Sequence, residues 1–337
     1  IRGYGMPTAV SLFSGCGGSD AGVIAAGFDV IMANDILPYA RDVYLANFPE
    51  TDYRLGDIRQ ISDLPEADLL VGCYPCQGFS QGGAREANRT INTLYLEFAR
   101  ALGIIQPKAF IAENVSGLRR STYRHLLEDQ LTKFAEAGHH GYRVYWQQIN
   151  AHDFGVAQER KRVVIVGIRK DIDAEFKFPT PTHGPDADQP YFSIAQALAG
   201  LPDWPEGEFC EDPFHWYYLS RNRRRDWNEI SKTVVSHMRH MPLHPISPPL
   251  RRIHTDKWEF ETEERARRFS FREAARLQGF MPRYTMHGGD MIFPETIESS
   301  VRDVTYNMLR QRYRVIGNAV PPPMFDAVAS ALPDIWN

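Results

Sequence analysis

Cysteine is scarce in this chain, with four residues in 337, at positions 16, 73, 76 and 210. So few thiols in a chain of this size exclude a disulfide framework, and reduced cysteines are expected. Long apolar runs are missing too. None approaches the roughly 20 residues a membrane-spanning helix needs, and the opening IRGYGMPTAV lacks the charged, apolar and small-residue sections of a secretory signal. A cytoplasmic protein without a membrane partner is expected, associated with the nucleoid if it binds DNA. Internal repeats and low-complexity tracts are absent, which excludes solenoids. Excess positive charge is also lacking: 38 Lys and Arg stand against 42 Asp and Glu, a net charge of -4. Any binding of nucleic acid must rest on a local field, not on overall charge.

The composition that remains, 43% hydrophobic over 337 residues, suits an α/β enzyme core with a smaller second unit. TAVSLF and FDVIMAND flank a glycine-containing helical stretch and read as a βαβ opening. ADLLVG, AFIAEN and RVVIVGI are three more short apolar runs near polar or glycine-rich turns, as a buried parallel sheet requires. Ligands of such sheets collect at the carboxyl ends of strands. Ser14, Asp35, Cys76 and Glu113 fall at or just past such ends, so distant parts of the chain are expected to share one crevice.

The glycines of LFSGCGGSDAG allow close approach of backbone to a ligand, although their spacing is not G-x-G-x-x-G. A tight turn without a ligand is the plain alternative. Asp35, ending the second strand, is placed like an acid that grips a ribose, and Asp57 of LGDI is placed to accept from an exocyclic amine. Together they suggest a nucleoside-containing cofactor, while each alone is more often a loop carboxylate.

Cys73 and Cys76 of GCYPCQGFSQGG form the one C-x-x-C in the chain. A zinc site would need further ligands, yet Cys16 and Cys210 are isolated. A thioredoxin-like site would not be preceded by a complete βαβ unit with a nucleoside-type turn. The remaining readings are a single nucleophilic thiolate at Cys76, presented by Pro75, or an ordinary core cysteine.

LFSGCGG, PCQGFS, AENVSGL, QERKR, REAARLQGF and GNAVPP occur in the order shown by the DNA cytosine-5 methyltransferase family, and the resemblance runs from Ala9 to about Met324. It implies an α/β fold of the class I S-adenosylmethionine-dependent type, Rossmann-like with a mostly parallel sheet, and a smaller target-recognition domain. Residues 1–180 with 312–337 are then expected to form the catalytic domain and 181–311 the recognition domain and hinge. Cys76 matches the nucleophile that attacks carbon 6 of cytosine, and Glu113 matches the acid facing N3, which asks it to carry or share a proton. Arg160 and Arg162 match the Q-x-R-x-R pattern, expected to project to one side and hold the flipped cytosine, with Gln158 ordering them; Asn114 helps position its loop.

By the same resemblance the cofactor is S-adenosylmethionine, without a metal. It is expected against Phe13, Ser14, Gly15, Gly17, Gly18, Asp35, Ile36, Asp57 and Ile58, with Asn318 and Val320 extending the site from the C-terminal segment. A cytosine stacked in duplex DNA has to be flipped into the pocket. QGFSQGGAREANRT is then a closing loop, with Gln77, Ser80, Arg85 and Arg89 toward DNA. The basic segment holding Arg221, Arg223, Arg224, Arg225 and Arg239 is expected to meet phosphates, although charge alone equally describes a solvated face. Double-stranded DNA is the expected partner, a cognate restriction endonuclease an associated one, and the chain is expected to act as a monomer. Two alternatives use the same scaffold. A tRNA cytosine methyltransferase is disfavoured because C-F-T is absent, and a non-catalytic DNA-binding homologue because Cys76 and Glu113 are present.

Overall fold

The computed structural model describes residues 5–75, 93–295 and 304–336. These divide into two compact units: Ile1–Asn150 with Lys161–Thr180 and Met324–Asn337, and Ala151–Arg160 with Pro181–Pro323.

The first unit carries a seven-stranded sheet. Its strands are β1 (Thr8–Leu12), β2 (Asp29–Asp35), β3 (Asp52–Leu55), β4 (Leu69–Gly72), β5 (Ala109–Val115), β6 (Tyr142–Asn150) and β7 (Lys161–Arg169), in the spatial order β3-β2-β1-β4-β5-β7-β6. β1 pairs in parallel with β2 and β4, β2 with β3, and β4 with β5. RVVIVGI, grouped with the parallel strands on its apolar character, instead runs antiparallel to both β5 and β6. The link between β6 and β7, residues 151–160, is too short for the crossover helix a parallel pair demands, so the chain has to turn back.

Helices α1 (Gly18–Ala25), α2 (Pro38–Asn47), α3 (Tyr95–Ile105) and α4 (Arg124–Ala135) connect the strands. Two strand glycines make room for the aromatic core. A Cβ on Gly72 would lie 2.3 Å from the Phe98 ring and one on Gly167 2.0 Å from Phe110. Phe98, Phe110 and Phe134 meet edge to face with centroids 5.2–5.8 Å apart, a favoured arrangement of ring quadrupoles. This core fixes the sheet on which the site residues stand.

The second unit contains α5 (Ile194–Leu198), the hairpin of β8 (Leu250–His254) and β9 (Lys257–Phe260), α6 (Phe271–Gln278) and α7 (Val304–Asn318), after which α8 (Pro322–Ser330) begins. Much of this unit is coil, whose buried carbonyls need donors from elsewhere. Buried arginines provide them. Arg268 donates to the carbonyls of Arg239, Cys210 and Asp212, and Arg267 donates to Asp203 O while pairing with both carboxylate oxygens of Glu273 at 2.7 Å. Of MIFPETIESSVRDVTYNML, the stretch between LQGF and YRVIGNAVPP, residues from Val304 begin α7, and 296–303 lie outside the described residues.

Candidate active site

β1 ends in a turn whose backbone is held open by its own conformation. Phe13, Gly15 and Gly17 all have positive φ, of 58°, 56° and 92°. Phe13 tolerates this uncommon region for a residue with Cβ because its ring is packed on the core, edge to face with Tyr74. Gly17 cannot be replaced cheaply, since a Cβ there would meet Phe48 at 2.7 Å, whereas a Cβ on Gly15 would enter open space. Gly18 begins α1 and is buried. The turn is thus built on one side and vacant on the other.

Hydrogen bonds lock this turn from beneath. Ser14 Oγ donates to Ser11 O at 3.0 Å and accepts from Asn34 N at 3.3 Å, while Ser11 Oγ donates to Asp20 at 2.5 Å and Ser19 Oγ to the same oxygen at 3.0 Å. Asp20 is fully buried, and burial raises its pKa above the usual carboxylate range despite these donors. Asp35 Oδ2 accepts from Gly15 N at 3.0 Å and Oδ1 from Leu37 N at 2.9 Å, joining the ends of β1 and β2. Beside it, Ile36 is 60% exposed.

Asp57 accepts from the backbone N–H and the guanidinium of Arg59, which hold its carboxyl below the ordinary range. Any exocyclic amine has to share it with that arginine. Ile58, expected against the cofactor, is instead a core residue only 2% exposed, because the one-turn helix that starts there points its side chain inward. Asp20 went unnoticed in the sequence; its signal was an acid inside an otherwise small and apolar helix.

At the carboxyl end of β5, Glu113 is 7% exposed and forms an ion pair with Arg162, Nε to Oε1 2.7 Å. Val115 is opposite Arg162 and Glu113 opposite Val164, so acid and guanidinium are diagonal neighbours on one face of the antiparallel pair. Burial draws Arg162 below the usual arginine range, and the Glu113 carboxylate opposes that shift. Asn114 turns to the backbone, its Oδ1 accepting from Val115 N at 2.8 Å.

Cys73, just past β4, belongs to the same electrostatic neighbourhood. Burial and the Glu113 carboxylate hold its thiol well above the ordinary range, against smaller opposing effects of Ser19 and Arg162. Cys73 is therefore a thiol, not a thiolate, at neutral pH. Cys76, Gln77, Ser80, Arg85 and Arg89 lie outside the described residues, as does the loop expected to close.

Arg160 departs from its expected role beside Arg162. Its guanidinium is buried in the second unit, donating to Val234 O at 3.0 Å, Gly317 O at 2.9 Å and Ala319 O at 3.0 Å. Gln158, expected to order both arginines, bonds elsewhere: Nε2 donates to Leu277 O at 3.0 Å and to Gln278, and Oε1 accepts from Val234 N at 2.9 Å. Gln278 in turn donates to Ile316 O and Ala319 O. The QERKR and GNAVPP motifs are thereby tied into one clamp. Gly317 is needed in it, because a Cβ there would lie 2.2 Å from the Ser236 backbone nitrogen. On the clamped segment Asn318 is exposed and Val320 is buried.

The basic segment is also differently arranged from the expected phosphate-facing row. Arg224 donates to Ser247 O and Pro245 O at 2.9 Å, Arg223 donates to Tyr218 O at 3.0 Å under the rings of Tyr217 and Tyr218, and Arg225 pairs with Glu229 at 3.3 Å. Arg239 pairs with Asp212 and donates to Tyr306 Oη at 3.0 Å. Arg221 is exposed. A coil-rich unit requires cations as internal braces, so a run of arginines need not form one face.

The C-5 cytosine-specific DNA methylase family model matches residues 8–334. The chain belongs to this family. It is 36% identical to the type II methyltransferase M.BsuRI of Bacillus subtilis, over 96% of this chain and 78% of that one. M.NgoPII of Neisseria gonorrhoeae, another type II methyltransferase, is 33% identical over 98% of this chain and 96% of its own. Among solved structures, the Dnmt2 methyltransferase of S. pombe superposes with a TM-score of 0.66 at 18% identity, covering 96% of this chain and 97% of that one. The fold is the α/β methyltransferase fold with a mostly parallel sheet, and the chain is a DNA cytosine-5 methyltransferase by family.

Proposed function

We propose that this chain transfers a methyl group from S-adenosylmethionine to carbon 5 of a cytosine flipped from a specific duplex DNA sequence, through a covalent adduct of Cys76. The observation that carries the site assignment is the buried Glu113–Arg162 pair at the carboxyl end of β5. The raised pKa of Cys73 supports Cys76 as the nucleophile of the C-x-x-C.

The residues around the β1 turn suit a nucleoside-bearing cofactor. The open space beside Gly15 admits a ligand against backbone, Asp35 is the acid for its ribose, exposed Ile36 offers an apolar face to its base, and Asp57 accepts from the exocyclic amine in competition with Arg59. When bound, S-adenosylmethionine supplies a methyl carbon activated by its sulfonium. Cys76 thiolate adds to carbon 6 of cytosine, forming a carbon–sulfur bond and turning carbon 5 into the nucleophilic end of an enamine. Glu113 hydrogen-bonds N3 as charge develops there, and Arg162 holds the carboxyl group in place. After carbon 5 has taken the methyl group it loses its proton to a base, the carbon–sulfur bond breaks, and Cys76 is restored.

Incubation with radiolabelled S-adenosylmethionine and either duplex DNA or tRNA tests this reading. Label is expected in DNA at carbon 5 of cytosine, in one sequence context by bisulfite sequencing. Label in tRNA alone, or in neither, overturns it.

A further inference from the structure

With Arg223 and Arg224 donating to backbone carbonyls and Arg239 paired with Asp212, the second unit presents another group of side chains to solvent. Trp216 is 81% exposed, the most exposed large apolar side chain among the described residues, and Tyr217 is 41% exposed. They adjoin three imidazoles. His237 stacks on His240 with centroids 4.7 Å apart and planes 25° apart, Tyr217 meets His240 at 5.4 Å, His215 meets His240 at 6.3 Å, and Trp216 stands edge to face with Tyr217 at 5.8 Å. His215 and His237 are exposed and His240 is half-buried.

The floor of this group is built, not accidental. Tyr218 is fully buried beneath it, its hydroxyl donating to Met241 O at 2.8 Å, and Leu243 and Leu250 complete a small core there. The rings above contribute little to that core, so their exposure is not explained by packing. Water contact of a whole indole is unfavourable by roughly 25 cal/mol per Å² of apolar surface, which a ligand covering it would relieve.

We propose that His215, Trp216, Tyr217, His237 and His240 form the surface by which this unit reads duplex DNA, the exposed rings making apolar contact along the groove and the imidazoles meeting base edges. The proposal rests on the DNA methyltransferase reading and names residues that its motifs do not. Charge favours DNA over an apolar partner: Arg239 and Arg310 bear electrostatically on His237 and Arg223 on His240, Arg221 and Arg310 are exposed, and Asp212 is already paired with Arg239. Partial burial, with His237, Arg223, His215 and Arg268 nearby, lowers His240 to about 4, and partial burial with Arg239 and Arg310 lowers His237. His237 and His240 are thereby favoured in the neutral form, in which each ring offers one donor and one acceptor, the pattern that discriminates base edges. Apolar contact along the groove gives a largely sequence-tolerant gain and the imidazole contacts a sequence-dependent one.

The test measures binding of Trp216→Ala, Trp216→Phe, and His237→Ala with His240→Ala to the cognate duplex and to a scrambled one, over a series of salt concentrations, alongside cofactor affinity. Trp216→Ala is expected to weaken cognate binding roughly 5-fold or more, Trp216→Phe to retain most of it, and the histidine pair to narrow the ratio of cognate to scrambled affinity. Salt dependence is expected to stay unchanged, because no phosphate contact is lost. Unchanged cofactor affinity shows that each variant is folded, and Trp216→Phe serves if alanine is not tolerated. Equal weakening on both duplexes with a shallower salt slope, no change at all, or a change only in self-association by sedimentation overturns the proposal. Failure of the wild-type chain to methylate any duplex instead overturns the underlying reading.

Discussion

Arg162 Nε lies 2.7 Å from Glu113 Oε1, a buried ion pair joining the beginning of β7 to the end of β5. Removing one member leaves the other charge uncompensated, which costs more than the pair contributes. Arg162→Ala is expected to lower turnover about 10²-fold or more and stability by about 3–5 kcal/mol. Chemical denaturation and single-turnover methylation measure the two effects separately.

Glu113→Gln keeps size and a hydrogen-bonding group while removing the ability to transfer a proton. Turnover is expected to fall by roughly 10²-fold with DNA still bound. Near-normal turnover at saturating substrates would show that N3 is served by another group.

The two cysteines of GCYPCQGFS are expected to behave differently. Cys76→Ser should abolish methyl transfer, because a hydroxyl is far less ionised and nucleophilic than a thiol. Cys73→Ser should keep substantial activity, since partial burial and the Glu113 carboxylate raise the Cys73 pKa and disfavour its thiolate. DNA with 5-fluorocytosine at the target should trap the enzyme, fluorine being unable to leave as a proton. Mass spectrometry finding the adduct on Cys73 would reverse the assignment.

Arg160 is expected to act on stability more than on chemistry. Arg160→Ala removes its hydrogen bonds to Val234 O, Gly317 O and Ala319 O, of which Ala319 O keeps Gln278, a buried acceptor left unpaired costing about 1–3 kcal/mol, and Gly317→Ala drives a methyl group into the Val235–Ser236 backbone. Both variants should lower the melting temperature strongly. A normal melting temperature with lost turnover would instead place Arg160 against substrate.

Asp20 gives a pH dependence. Its folded pKa is raised by burial, so the carboxyl group favours the fold while protonated, fully below its unfolded pKa of about 3.9, and that contribution is lost as pH rises through the raised value. Asp20→Asn, which keeps an acceptor for Ser11 and Ser19, should remove that loss and flatten the stability profile above pH 4. Denaturation midpoints across pH measure it; an unchanged profile would assign the dependence to other groups.

The apolar strands β1, β2, β4 and β5 were legible in the sequence because strands buried on both faces read as continuous apolar runs. β3 and β6 were not. DYRL and YRVYWQQIN occupy the sheet edges, where exposed residues such as Trp146 dilute the pattern. The direction of β7 was hidden too, since apolar composition records burial and not polarity of pairing. In the site, Glu113 was legible as an acid ending an apolar strand. The separate environments of Arg160 and Arg162 were not, because side-chain alternation assumes a regular strand and β7 begins at Lys161.

Strand pairing also acts as a measuring device for the reaction. Glu113 and Arg162 meet because β5 and β7 are held at one register, with Val115 opposite Arg162, and alternate residues of a strand face opposite sides. Adding or deleting one residue in β7 at its Lys161 end would carry the guanidinium through the sheet to the other face, leaving every side chain present and the acid alone. Length variation in this enzyme should thus be tolerated in the coil of its second unit and forbidden across those few residues, so a library of single-codon insertions would trace the ladder as a gap in the surviving clones.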